Sequence, residues 1–336
     1  MTKNVVLKNQ ECASEFYEKF FQNNTTYLSN WWTPHQLVKI ADVISSLNLP
    51  KQGDLFDFGC GVGDMTKNLS LIMPEWEVIG SDISSKAIEF AKQKYPGIQF
   101  QTADEVHQNY KTFDLIFSHH VFEHVVDVDS IFAEVLQRLK PGGKLLIVVP
   151  CGNPGSLEYS IASNTRNGIN TAQGNRFYYE ASDHQRRLRT EDFQETARKA
   201  GCTITHTFYA DQFWGGIEWI SRNGLGHLNN LIKLENAIDE KSKRELVKAQ
   251  SLIKIWALLR SPYCKLKFKL RQPRKTIADR VKIMIGLILF PISYPLDQML
   301  WSRVREEWKT RKSDPAGAEI WMVFESSTKT LDPMMD

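Results

Sequence analysis

The 336-residue chain is poor in cysteine and pairs none of what it has. Its five cysteines, at 12, 60, 151, 202 and 264, are scattered and odd in number, with no C-x-x-C spacing. That excludes a disulfide framework and a cysteine zinc site, and it points to a reducing compartment. No apolar core follows the first residues, MTKNVVLKNQECASEF, so a signal peptide is not expected and a cytoplasmic location is. The longest uninterrupted apolar run, Ile283 to Ile292, is ten residues and includes Gly286 and Pro291. A spanning helix needs about twenty, so no transmembrane segment is expected. A net charge of only +3 argues against a polyanion binder over the whole surface. There is no internal repeat and no low-complexity tract.

Short apolar runs alternate with helical stretches from Gly53 to Pro150. DLFDFG (54–59), EVIGSD (77–82), IQFQTAD (98–104), FDLIFSH (113–119) and KLLIVVP (144–150) read as strands. Helices are expected from about Asp64, over 84–95 and over about 127–139, the last ending at the breaker KPGG. Upstream, 33–47 reads as a helix capped by Thr33. Downstream, a helix over 189–202 precedes strands at 203–210 and 318–326. Strands separated by helices of this length make βαβ units and a doubly wound parallel sheet.

The first strand runs into LFDFGCGVGDMT (55–66). Glycines at 59, 61 and 63 give a turn that a ligand approaches without meeting a Cβ. A dinucleotide loop, G-x-G-x-x-G, needs a third glycine where Asp64 stands, and a triphosphate loop needs a Gly-Lys-Ser/Thr that is missing. Asp57 adds a carboxylate beside the loop. It repels phosphate and attracts an amine.

This arrangement resembles motif I of the class I S-adenosylmethionine-dependent methyltransferases, of the small-molecule, ubiquinone-pathway-like type. Asp82, nineteen residues after Gly63 in VIGSDIS, stands where that family's acid holds the ribose hydroxyls, with Ile83 beside it. A carboxylate suits two vicinal hydroxyls. Asp104, in QTADEV, falls where the family contacts the adenine amine, with Glu105 as an alternative. FDLIFSHHVFEHV and LKPGGKLLIVVP resemble the family's fourth and fifth strands with the helix between. The likeness runs from about 53 to 208 and returns at 318–326. It implies a seven-stranded sheet with an antiparallel last strand, and S-adenosyl-L-methionine as cofactor.

Methyl transfer to an alcohol or phenol also requires a base. His119, His120 and His124, with Glu123, cluster where the fourth strand ends, the side on which open α/β sheets bind ligands. By the resemblance, Ser118 and His119 line the methionine end of the cofactor. His119, His124 and His184 are the candidate catalytic residues. His124 has a competing role in positioning the next helix, and His184 as a cap. His120, Trp31, Trp32, Arg176, Tyr178 and Tyr179 are candidates for acceptor binding, with plain packing or solvated loop as the alternative. No metal site is expected.

The reading divides the chain into a helical lid (1–50), a methyltransferase core (51–210 and 318–327) with a polar insertion (151–188), and a second insertion (211–317). Within that second insertion, Gln250 to Lys282 holds ten Lys/Arg against one acid, leaving the rest of the chain net acidic. The basic, apolar stretch 251–301 is either an extra helical subdomain with a solvated cationic face or an element for an anionic membrane surface. No nucleic-acid motif supports a third use. The expected activity is methylation of a small-molecule or lipid-linked acceptor, at oxygen ahead of nitrogen or carbon. The rival readings are an inactive cofactor-binding scaffold and a protein or nucleic-acid methyltransferase. SHHV occupies the place of the N/D-P-P-[YFW] signature that nucleic-acid amino methylation uses.

Overall fold

Leu55, Phe56, Leu115, Ile116, Phe117 and every residue from Leu145 to Val149 are buried, as in a parallel sheet covered on both faces. The computed structural model describes residues 10–23, 34–109, 111–271 and 276–326. Helices α1 (Gln10–Asn23) and α2 (Pro34–Ser45) precede β1 (Gly53–Phe58), α3 (Asp64–Ile72), β2 (Trp76–Asp82), α4 (Ser85–Lys94) and β3 (Gln99–Thr102). Then come α5 (Ala103–Gln108), β4 (Phe113–His119), α6 (Val128–Leu136), β5 (Leu139–Pro150), α7 (Leu157–Ser163), β6 (Ile169–Asn170) and β7 (Arg176–Phe177). The chain ends through α8 (Thr190–Ala200), β8 (Cys202–Ala210), α9 (Trp214–Arg222), α10 (Gly224–Leu231), α11 (Glu240–Arg271), α12 (Ile277–Arg311) and β9 (Glu319–Ser326).

Seven strands form one sheet in the order β3-β2-β1-β4-β5-β9-β8. β1 pairs in parallel with both β2 and β4, in the registers Leu55↔Val78 and Phe56↔Ile116. The connections leave β1 and β4 on opposite sides, so a topological switch point, the usual ligand crevice of such sheets, opens beyond their carboxyl ends. Thr203 and Thr205 reach the carbonyls of Glu325 and Val323 at 3.5 and 3.4 Å, an opposing register that makes β8 and β9 antiparallel. This is the expected methyltransferase-like sheet.

Three expectations need correction. The third strand stops at Thr102, because Thr102 and Glu105 close a capping box that starts α5. KPGG does not break the chain but lies inside β5, whose Leu139 pairs with Phe113 across a register shift. Most significantly, α12 runs unbroken through Pro291 and Pro295 for 35 residues and is long and apolar enough, by length and composition, to cross a membrane. An uninterrupted apolar run underestimates such a helix, because scattered Gly, Pro and Ser residues do not end it. The predicted cap Thr33 and the pair Trp31 and Trp32 lie outside the described residues.

The chain separates into two compact units. Unit 1 comprises Met1–Cys151, Ala181–Thr207 and Ile320–Asp336; unit 2 comprises Gly152–Glu180 and Phe208–Glu319. The two insertions, read separately in the sequence, therefore share a unit. Its core joins Leu157, Ile161, Ile217, Leu228, Ile253 and Leu300. Inside it, Arg260 is buried and bonds Asp297 Oδ1 at 2.6 Å, Glu218 Oε1 at 2.8 Å and Ser221 Oγ at 2.8 Å. Removing one member of a buried ionic network strands the others. Arg260→Ala is expected to destabilise unit 2 by about 3–5 kcal/mol, read as a lower denaturant midpoint. An unchanged midpoint would contradict this.

Candidate active site

The loop after β1 is held by backbone donors and one carboxylate. The N–H groups of Gly59 and Cys60 both donate to Ser81 O at 2.8 Å. The N–H of Gly61 donates to Asp82 Oδ2 at 2.8 Å, and Ser84 N–H donates to Asp82 Oδ1 at 2.9 Å. Gly59, Gly61 and Gly63 all have positive φ. A Cβ on Gly59 would stand 2.3 Å from Val121 Cγ2, and one on Gly63 would stand 2.6 Å from Phe100 Cζ, so glycine is required for packing as well as for the turn. Val62 packs with Phe21 of α1 and with Ala87, which sets the N-terminal helix against the loop.

The acids here serve different ends. Asp57 is buried and accepts from Thr66 Oγ1 at 2.7 Å. Burial pushes its pKa up to about 7. Asp82 is pushed up to about 6, again chiefly by burial, against the two N–H bonds that favour its charge. Asp64, which replaces the third glycine of a dinucleotide loop, bonds Lys94 Nζ at 2.8 Å and Tyr95 OH at 2.6 Å and so ties α3 to α4. Asp104 is exposed in the first turn of α5, while Glu105 is engaged in the capping box. Ile83 follows Asp82 and is half-buried.

Beyond β4, Ser118 is fully buried and its Oγ has no hydrogen-bond partner among the described residues. His119 stacks on His120 at 4.3 Å between ring centroids, and His120 takes a left-handed φ of 55°. Glu123 is fully buried, and neither of its carboxylate oxygens has a hydrogen-bond partner among the described residues. Its nearest basic nitrogens are His120 Nδ1 at 3.3 Å and His124 Nε2 at 3.9 Å.

The segment 183–187 is bolted to this loop. Gln185 N–H donates to Glu123 O at 2.8 Å, and Arg186 bonds the carbonyls of Val125 and Val126. Asp183 Oδ2 consequently lies 3.3 Å from His124 Nδ1 and accepts from Tyr17 OH at 3.0 Å. The His124 and His184 rings meet edge to face at 4.6 Å. Burial alone would depress the His124 pKa, but the Asp183 hydrogen bond and the Glu123 charge overcome it and raise the pKa above the ordinary histidine value. Burial likewise opposes charge on Asp183, yet His124 holds that carboxyl well below its usual range. His184 is pushed far down by burial and by the charge of His124, so it is neutral. Donor atoms of Glu123, His124 and His184 lie within 4.8 Å of one another. That spacing suits a metal ion, and the Asp183 carboxylate on Nδ1 leaves Nε2 of His124 to take either a metal ion or a proton.

Of the sequence-predicted residues, unit 1 brings together the glycines with Asp57 and Asp82, and separately His124 with His184. In unit 2, Arg176 is buried, Tyr178 OH donates to Leu231 O, and Tyr179 OH donates to Glu158 Oε2 at 2.9 Å, so both tyrosine hydroxyls have partners within that unit. The sequence reading missed Tyr17, Glu18 and Asp183. Glu18 accepts from the N–H groups of Ser85 and Lys86 at the start of α4.

A family profile described as a methyltransferase domain matches residues 32–207, over half of the chain. This chain belongs to the methyltransferase-domain family. It is 32% identical over 123 residues to phosphoethanolamine N-methyltransferase 3 of Arabidopsis thaliana, covering 34% of this chain and 24% of that protein. It is 30% identical over 128 residues to trans-aconitate 2-methyltransferase of Azoarcus sp., covering 35% of this chain and 51% of that protein. The chain thus spans between a quarter and half the length of these curated relatives. The solved structure of Haemonchus contortus phosphoethanolamine N-methyltransferase 2 with S-adenosyl-L-methionine aligns at 16% identity and a TM-score of 0.46, over 96% of this chain and 58% of that one.

S-adenosylmethionine is the methyl donor of this family, and the residues present fit it. Each Asp82 oxygen takes one N–H bond and keeps a lone pair for a ribose hydroxyl. Asp57, Asp82 and Glu123 form no ion pair with any lysine or arginine among the described residues, so the crevice favours a cation and disfavours phosphate. The raised values of Asp57 and Asp82 carry a sign. The stability they contribute is fully present below the ordinary value of 3.8 and is lost as pH rises through about 6 and 7. Ionisation in that same window makes the crevice anionic. Calorimetric affinity for S-adenosylmethionine should therefore rise about tenfold between pH 5.5 and pH 8, and affinity for the neutral sulfide S-adenosylhomocysteine by less. Equal slopes for the two would contradict the assignment. Gly59→Val should abolish both binding events.

Proposed function

We propose that this protein transfers the methyl group of S-adenosylmethionine to a hydroxyl of a small-molecule or lipid-linked acceptor. The observation that carries the donor half is the Asp82 carboxylate clamped on the Gly61 N–H beside Asp57, a buried acid with no lysine or arginine partner among the described residues. The donor supplies an electrophilic methyl on a cationic sulfur. The chain binds it, aligns it with the acceptor, and removes the acceptor's proton. Alignment is the larger part, because in-line displacement is mainly a matter of holding two reactants in register.

The His124–Asp183 pair supports oxygen as the receiving atom. Asp183 fixes the ring through Nδ1 at 3.3 Å and is itself held by Tyr17. In this arrangement Nε2 of His124 receives the hydroxyl proton while Asp183 stabilises the imidazolium. His184, kept neutral beside it, avoids a second positive charge. The relatives include one named for transfer to nitrogen and one named for trans-aconitate. An amine acceptor would need the same cradle but can lose its proton to water before transfer, without a base held in the site.

Release of S-adenosylhomocysteine with hydroxyl and amine acceptors separates these cases. With a hydroxyl acceptor, the rate should rise with pH along a limb lying above 6.5, the ordinary histidine value. Asp183→Asn should shift that limb to lower pH and slow turnover about 100-fold, while S-adenosylhomocysteine binding stays unchanged. Turnover confined to amines and indifferent to Asp183→Asn would overturn oxygen transfer. No turnover with any acceptor, with cofactor binding intact, would favour a scaffold.

A further inference from the structure

The exposed and buried sides of α12 are reversed relative to a helix in water. Asp279, Gly286, Ser293 and Asp297 are the buried positions of α12 before Leu300, and all four are small or polar. The seam is made by Lys269 Nζ to Asp279 Oδ1 at 2.7 Å and by Arg260 Nε to Asp297 Oδ1 at 2.6 Å. At Gly286 an added Cβ would stand 2.8 Å from Leu266 Cβ, so the two helices approach closely. Outside this seam the helix is apolar on nearly every side from Ile283 to Met299, whereas its last turns carry Arg303, Arg305, Glu306, Lys309 and Arg311. Ile277 is 82%, Ile288 69% and Ile292 63% exposed, with Met284 and Leu287 beside them.

A helix that is apolar around its circumference belongs in a core or in lipid. Small and polar residues at the helix contact, with apolar residues outside, are the pattern of helices packed in an apolar medium, where prolines such as Pro262, Pro291 and Pro295 are also tolerated. From Ile283 to Met299, at about 1.5 Å per residue, the apolar stretch is roughly 25 Å long. The charges select the occupant. Lys265, Arg280 and Lys282 are exposed on the same hairpin, and they complement anionic headgroups. A second copy of the chain would bring the same cations against one another.

We propose that the α11–α12 hairpin anchors this protein in a bilayer with anionic headgroups, its apolar flanks among the acyl chains and its lysines and arginine at the phosphates. Because those cations stand at the end of the hairpin, they resist passage through the hydrocarbon, and the element stays in the near leaflet. The anchor does not rest on the methyl-transfer reading.

Flotation of the full chain tests it. Vesicles of phosphatidylcholine alone are compared with vesicles in which one part in four is phosphatidylglycerol. The protein should float with the mixed vesicles and less with the neutral ones. Ile288→Glu combined with Ile292→Glu should lower partitioning about tenfold or more on both. Lys265→Glu combined with Lys282→Glu should lower it several-fold on the mixed vesicles only. S-adenosylhomocysteine binding and the thermal midpoint, both unchanged, would show that the variants are folded and that the donor site is a separate matter. If the wild type stays in the dense fraction with both vesicles, the proposal fails. It also fails if the lipid-free protein is a dimer that the isoleucine variant turns into a monomer without altering flotation.

Discussion

A carboxylate at the end of one strand holds the backbone of the loop that ends its neighbour. The bond from Gly61 N–H to Asp82 Oδ2, 2.8 Å long, spans β1 and β2 where the sheet delivers them side by side, Phe58 opposite Ser81. It fixes a turn with almost no side chain inside it, and it leaves a negative group where a phosphate-binding loop would present only N–H donors. The rest of unit 1 follows from that inversion of charge. Asp57 stays buried beside the loop, Asp64 is tied to α4 rather than replaced by glycine, and α1 brings Phe21 onto Val62.

The second centre of the site is a network assembled at long sequence distance. Tyr17, His124, Asp183 and His184 come from three separated segments and share one patch of unit 1. Their opposed pKa directions are what a proton-handling cluster needs: one imidazole paired to a carboxylate and made more basic, its neighbour held neutral. Glu123 is buried in the same patch, with no hydrogen-bond partner on either oxygen among the described residues.

What the sequence disclosed follows the range of the interactions involved. The glycine loop, Asp82 and the sheet were legible because each depends on a motif of a few residues or on apolar alternation within a strand. Asp183 was not, since 59 residues separate it from His124 and SDHQRR carries no local signal for an ion pair. Tyr17 lies 166 residues from its partner. The end of β3 was misread because IQFQTAD is apolar and alternating through Thr102, and only the capping exchange with Glu105 turns it. Length misled the reading of α12. Proline and glycine punctuate most helices, but here Gly286 serves close contact with α11, and Pro291 and Pro295 stay inside the helix. In unit 2 the tyrosine hydroxyls of the polar insertion bond Leu231 and Glu158, partners 53 and 21 residues away that the sequence does not mark.

Two features therefore define this methyltransferase-domain protein, an anionic nucleoside crevice in unit 1 and an apolar, cation-flanked hairpin in unit 2. The crevice is the central claim, and calorimetric titration of the full chain with S-adenosylhomocysteine, NADH and ATP addresses it most directly. S-adenosylhomocysteine should bind tightly and the other two not at all. Uptake of NADH or ATP with no binding of S-adenosylhomocysteine would contradict it.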